Sequence, residues 1–92
     1  MNSNSIISLA GHAKIKKDSV RDSNFLLVPE RAIKLNETAY DILSLCDGSL
    51  TVRQIRESLE ENYKNQEVSR DISEFLEDML LRGWIEIVGE KS

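Results

Sequence analysis

The sequence predicts an α+β domain in which a three-stranded antiparallel sheet is followed by three helices and a short C-terminal strand. Two hydrophobic periods and one capping signature carry this prediction. Between residues 12 and 35 apolar positions alternate or run unbroken over strand length, whereas between Asn36 and Gly83 they recur at helical spacing. Thr51 and Gln54 mark a helix start inside the second region. With 92 residues, 40% hydrophobic and 30% charged, the chain suits one small core, too polar for a membrane protein and too apolar for a disordered one.

Residues 1–11, "MNSNSIISLAG", are small and polar apart from Ile6, Ile7 and Leu9, which predicts a flexible N-terminal tail. In "HAKIKK", Ala13 and Ile15 alternate with Lys14 and Lys16, the pattern of a half-buried strand. The polar "DSVRDSN" reads as a turn, "FLLV" as a second strand, Pro29-Glu30 as a hairpin turn, and "RAIKL" as a third strand with Ile33 and Leu35 on one face. Asn36 then suits a helix N-cap, with Glu37 in the first turn, where the helix dipole favours negative charge. Ala39, Ile42, Leu43 and Cys46 form the apolar stripe of this helix, and Gly48 is the expected left-handed C-cap. The second helix opens on the Thr51–Gln54 capping box, with Leu50 and Ile55 as a hydrophobic staple and Val52, Ile55 and Leu59 as its buried stripe. After the polar break "NYKNQE", Val68, Ile72, Phe75, Leu76, Met79 and Leu80 share one face of a third helix that stops at Gly83. "WIEIV" closes the domain as a strand, and residues 89–92 are expected as a C-terminal tail.

Composition narrows the function. A domain this small has little room for a deep, water-excluding pocket, which favours a binding module over a self-contained enzyme. The net charge of −4 disfavours nucleic acid, because a phosphate backbone is met by a basic face. The third helix adds to this, with Asp71, Glu74, Glu77 and Asp78 against Arg70 and Arg82; a winged-helix DNA-binding protein would need a basic reading helix there. Lone His12 has no neighbouring ligand type, and lone Cys46 sits on an apolar stripe without an activating histidine, so neither is assigned a role and no metal or other cofactor is expected. A single cysteine excludes an intramolecular disulfide, and the absence of a secretory pattern at the N-terminus makes the cytoplasm the expected compartment.

The run "LLVPERAIKLNETAYDILSLCDG", the following "TVRQI", and then Asp71, Phe75-Leu76 and Gly83-Trp84 closely resemble the PqqD family of pyrroloquinoline quinone biosynthesis. The resemblance covers residues 12–88, with Arg31 standing where the family often has glycine after Pro-Glu. It implies a winged-helix-like peptide-recognition domain of the kind found in ribosomal-peptide modification pathways, with no catalysis of its own. The implied role is to bind the leader of the precursor peptide PqqA as an added antiparallel strand and to present it to the radical S-adenosylmethionine enzyme PqqE. Leader recognition in a different ribosomal-peptide pathway is the alternative. Carried over by position, the peptide-binding edge is Arg31, Ala32, Ile33, Lys34 and Leu35, and the helical wall is drawn from Ile72, Phe75, Leu76 and Met79. The chain is expected to be mostly monomeric, with strand exchange at that edge as the route to a dimer.

Overall fold

In a computed structural model, which describes residues 1–63 and 68–91, the chain forms two three-stranded antiparallel sheets and three helices. Residues 64–67 of the predicted polar break, the side chains of Val68 and Ser69, and Ser92 of the predicted C-terminal tail lie outside the described residues. One sheet has the order β2-β3-β4, from β2 (Lys14–Asp18), β3 (Ser23–Val28) and β4 (Arg31–Leu35), and these are the three strands predicted. Its inner face is built by the row Ile15–Leu26–Ile33, which the register places directly opposite one another, and Leu26 at its centre is fully buried. Pro29 and Glu30 form a two-residue turn between Val28 and Arg31, and Glu30 takes the left-handed conformation at φ 65°. The turn position that favours glycine is therefore Glu30 rather than Arg31.

The second sheet, of order β5-β1-β6, changes the predicted plan. Ser5–Leu9 is strand β1 and sits in the middle, between β5 (Asp47–Thr51) and β6 (Ile85–Glu90). The N-terminal segment expected as a flexible tail thus supplies a central strand, anchored by fully buried Ile7 and by Leu9 N–H donating to the Cys46 carbonyl at 3.0 Å. At the other end, β6 continues through Gly89 and Glu90, where a tail was expected. Ser5 is buried on the same face as Ile7, a polar residue that interrupts the apolar alternation by which strands are recognised.

Three helices cover these sheets. Helix α1 (Glu37–Ser44) starts where predicted, with Asn36 Oδ1 accepting from the Ala39 N–H at 2.7 Å, but it ends at Leu45 in a right-handed cap. Gly48 therefore does not cap it; Gly48 lies in β5 at φ 84°, facing Ser8 of β1. Cys46 falls one residue beyond the helix cap and remains in the core, as expected. Helix α2 (Val52–Tyr63) carries the predicted capping box: Thr51 Oγ1 accepts from the Gln54 N–H at 3.2 Å, and Gln54 Oε1 accepts from the Thr51 N–H at 2.9 Å. Such a cap contributes about 1 kcal/mol. Helix α3 (Val68–Leu81) ends at Gly83, φ 78°, where the Trp84 N–H reaches the Met79 carbonyl and the Gly83 N–H that of Leu80. This pair of bonds is a Schellman cap, and it turns the chain so that Trp84 comes back over the end of α3. Ile55, Leu59, Ile72, Leu76 and Ile85 are buried between the layers, each contributing about 2 kcal/mol on removal from water.

Candidate functional site

Strand β4 is an outer strand of its sheet, with β3 on one side and no strand on the other among the described residues. Because the two-residue turn closes on Val28 and Arg31, these form a hydrogen-bonded pair, and antiparallel alternation makes Ile33 and Leu35 inward-bonding as well. Ala32 and Lys34 are left with N–H and C=O groups pointing away from β3. Side chains alternate independently of this. Arg31, Ile33 and Leu35 share the face turned toward α3, while Ala32 is on the opposite face and exposed.

Between β4 and α3 runs an open groove. Ile33, Leu35 and Ala39 line it on one side, and Phe75 and Met79 on the other. It continues past Phe75 to a stretch lined by Thr38, Ile42 and Asp71. At the hairpin end it is rimmed by Arg31, Lys34, Asp78, Arg82 and Trp84. The Arg31 and Arg82 guanidiniums lie 6.0 and 5.2 Å from the centre of the Trp84 ring, within cation–π range, and Arg82 Nε also donates to Asp78 Oδ2 at 3.0 Å. The Schellman turn at Gly83 brings the indole to this place.

The structure divides the nine residues carried over by position. Arg31, Ile33, Lys34, Leu35, Phe75 and Met79 line the groove, and Ala32 offers its backbone at the edge. Ile72 and Leu76 are fully buried and belong to the core, one helical step behind Phe75 and Met79. Asp78, Arg82 and Trp84 were not among the residues the sequence reading assigned to the site. A signal for the first two exists: Phe75, Asp78, Met79 and Arg82 recur at three- and four-residue spacing and form their own stripe beside the core stripe. Nothing local marks Trp84, whose position depends on the turn that precedes it.

The perturbed titrations lie elsewhere. Burial pushes the Cys46 thiol up to about 12, with the neighbouring Asp47 carboxylate adding to the effect. Asp47 itself is lowered by hydrogen bonds from the side chain and backbone of Ser49, and Tyr63 is raised by the hydrogen bond it donates to Asp41. Among the described residues no group of three or more His, Cys, Asp and Glu side chains is placed to hold a metal ion, and no helix is long and apolar enough to cross a membrane. What the groove offers chemically is a row of backbone donors and acceptors, an apolar floor and a charged rim, which together suit an extended peptide.

Comparison with known proteins agrees in scale. The profile of the family described as coenzyme PQQ synthesis protein D (PqqD) matches residues 24–85. A PqqA binding protein of Methylococcus capsulatus is 35% identical over 80 residues, covering 87% of this chain and 86% of that protein. A PqqA binding protein of Rhodopseudomonas palustris is 35% identical over 79 residues, covering 84% of this chain and 78% of its own. Among solved structures, the solution structure of the PqqD portion of Methylobacterium extorquens PqqCD superposes with a TM-score of 0.75 at 28% identity, over 94% of each chain. That protein is described as a functional, stand-alone recognition element for ribosomally synthesised and post-translationally modified peptides.

Proposed function

The chain belongs to the PqqD family, and from that premise we propose that it is a non-catalytic chaperone that binds the precursor peptide PqqA by β-strand addition and presents it to the radical S-adenosylmethionine enzyme PqqE. The observation that carries this reading is the open edge of β4 lying beside the β4–α3 groove. A peptide laid antiparallel along β4 bonds to the outward groups of Ala32 and Lys34, and its alternate side chains enter between Ile33, Phe75 and Met79. Main-chain bonds supply affinity that is indifferent to sequence, and the groove supplies selectivity. A recognition element named for PqqA among its relatives fits this division of labour. The acidic residues Asp71, Glu74, Glu77 and Asp78 on α3 argue against insertion of that helix into a DNA groove.

Amide chemical-shift mapping during titration with PqqA tests the site, and co-elution with PqqA and PqqE on a sizing column tests the presentation. Perturbations centred on residues 31–35 and on Phe75 to Trp84 are expected. Shifts centred instead on the β5-β1-β6 sheet would place the peptide elsewhere, and co-elution of PqqE with PqqA equally well without this chain would remove the chaperone role.

A further inference from the structure

The two ends of the groove carry opposite charge. At the hairpin end, Arg31 and Arg82 stand against one carboxylate, Asp78, which Arg82 already pairs, and Lys34 adds its charge from the opposite face of the strand. Arg31 and Lys34 form no ion pair among the described residues. At the far end the charged lining residue is Asp71, in the first turn of α3, and it too lacks an ion pair among the described residues. A cationic surface in a chain of net charge −4 is a local reversal rather than a general property of the molecule. Trp84 strengthens it: a guanidinium held over an aromatic ring keeps its N–H fork free for a planar acceptor, and a carboxylate fits that fork with two bonds.

Strand direction turns this polarity into a sequence requirement. Strand β4 runs from Arg31 at the cationic end toward Leu35, so an antiparallel peptide enters beside Asp71 and leaves beside Arg31. Along α3 the distance from Asp71 to Arg82 is about 16 Å at 1.5 Å rise per residue. An extended chain covers that in about five residues. Resting on strand addition at β4, we propose that the groove selects its peptide by charge order, with a cationic side chain first, apolar residues at alternate positions over Phe75 and Met79, and a carboxylate about five residues later at Arg31. The opposite order in the same direction would set like charges together at both ends, and the groove rejects it as much by repulsion as by lost attraction.

Two synthetic peptides with blocked termini test this. They have the same composition and the same alternating apolar core, one with lysines before and glutamates after it, the other with these ends exchanged. Each is used to displace fluorescently labelled PqqA from the full chain. The lysine-first peptide is expected to displace it about tenfold more effectively at low ionic strength, with the difference shrinking at about 0.5 M salt. In the double variant Arg31→Glu, Asp71→Lys, whose sites are exposed and whose fold is checked by circular dichroism, the preference should reverse. Equal displacement by the two peptides, displacement by neither at millimolar concentration, or an unchanged preference in the double variant overturns the charge-order rule. The underlying site is checked separately with Ala32→Pro: if labelled PqqA binds that folded variant undiminished, strand addition itself fails and the charge-order rule falls with it. If the proline variant weakens PqqA while the two peptides compete equally, only the charge-order rule is lost.

Discussion

Replacing Ala32 by proline should separate binding from folding, because the structure fixes which backbone groups of β4 are committed to the sheet. The Ala32 N–H points away from β3, so the fold loses no ladder bond when proline removes it. The Ala32 side chain is exposed, which gives the ring room, and Arg31 before it is already extended, as a residue preceding proline must be. What disappears is one donor to an incoming strand, about 1 kcal/mol or roughly fivefold in affinity, with further loss from the ring at the pairing edge. Ile33→Pro is the opposite case. It breaks the bonded pair with Leu26 and removes a side chain packed against the core, at a cost of about 3 kcal/mol or more from a total of roughly 5–15 kcal/mol. Lys34→Ala keeps the backbone intact and should weaken binding less than the Ala32 proline does. Far-UV circular dichroism melts report the fold, and titration calorimetry with PqqA reports affinity. If Ala32→Pro folds and binds PqqA as tightly as the unaltered chain, the bonding parity and the strand-addition site are both refuted.

Three further outcomes follow from the fold. Ile7→Ala should destabilise the chain by about 3 kcal/mol in urea unfolding, because it opens a cavity under the central strand of the second sheet; a change of a few tenths would mean the segment is dispensable. Glu30→Gly should raise stability by up to about 1 kcal/mol in the same assay, since glycine adopts φ 65° without the steric cost that an L side chain carries there, partly offset by its greater freedom when unfolded. For Cys46 the folded thiol titrates near 12 against an ordinary value of 9.0, so between those values the folded chain holds a proton that the unfolded chain has lost. The thiol's contribution is complete below pH 9 and declines as pH rises toward 12. Unfolding curves collected from pH 7 to about 11 should show that fall, Cys46→Ala should flatten it, and a thiol reagent at neutral pH should react only as fast as the protein opens.

The parts of the fold that were legible in the sequence are those whose signal is local. Ile15 and Ile33 announce a sheet face through their alternating spacing, Leu26 lies in an apolar run of strand length, and Thr51 with Gln54 announces a helix start through four consecutive residues. Strands β1 and β5 carry no such signal. "SIISL" buries a serine on its core face, and "DGSLT" is made of turn-forming residues that become a strand because β1 lies beside them with a shifted register. Their strand character therefore comes from partners distant in the sequence, and the β1–β5 pairing draws Gly48 out of its expected capping role and into β5.

The groove divides the same way, and for a reason that bears on how it works. On its β4 side, alternation showed that Ile33 and Leu35 share a face, and the family resemblance marked residues 31–35 as the edge. Its helical side was not legible, because an apolar residue on α3 reads alike whether it is sealed in the core, as Ile72 and Leu76 are, lines the groove half-buried, as Phe75 does, or does both, as buried Met79 does. The two stripes run side by side on one helix, so the residues that line the groove are braced directly by residues that hold the domain together. The groove is thereby largely formed before the peptide arrives, and binding has little ordering of the receptor to pay for. The ordering cost then falls on the peptide, which becomes extended as it pairs. A host of this kind is expected to bind with modest affinity for its contact area and to release readily, which suits the hand-over to an enzyme proposed above.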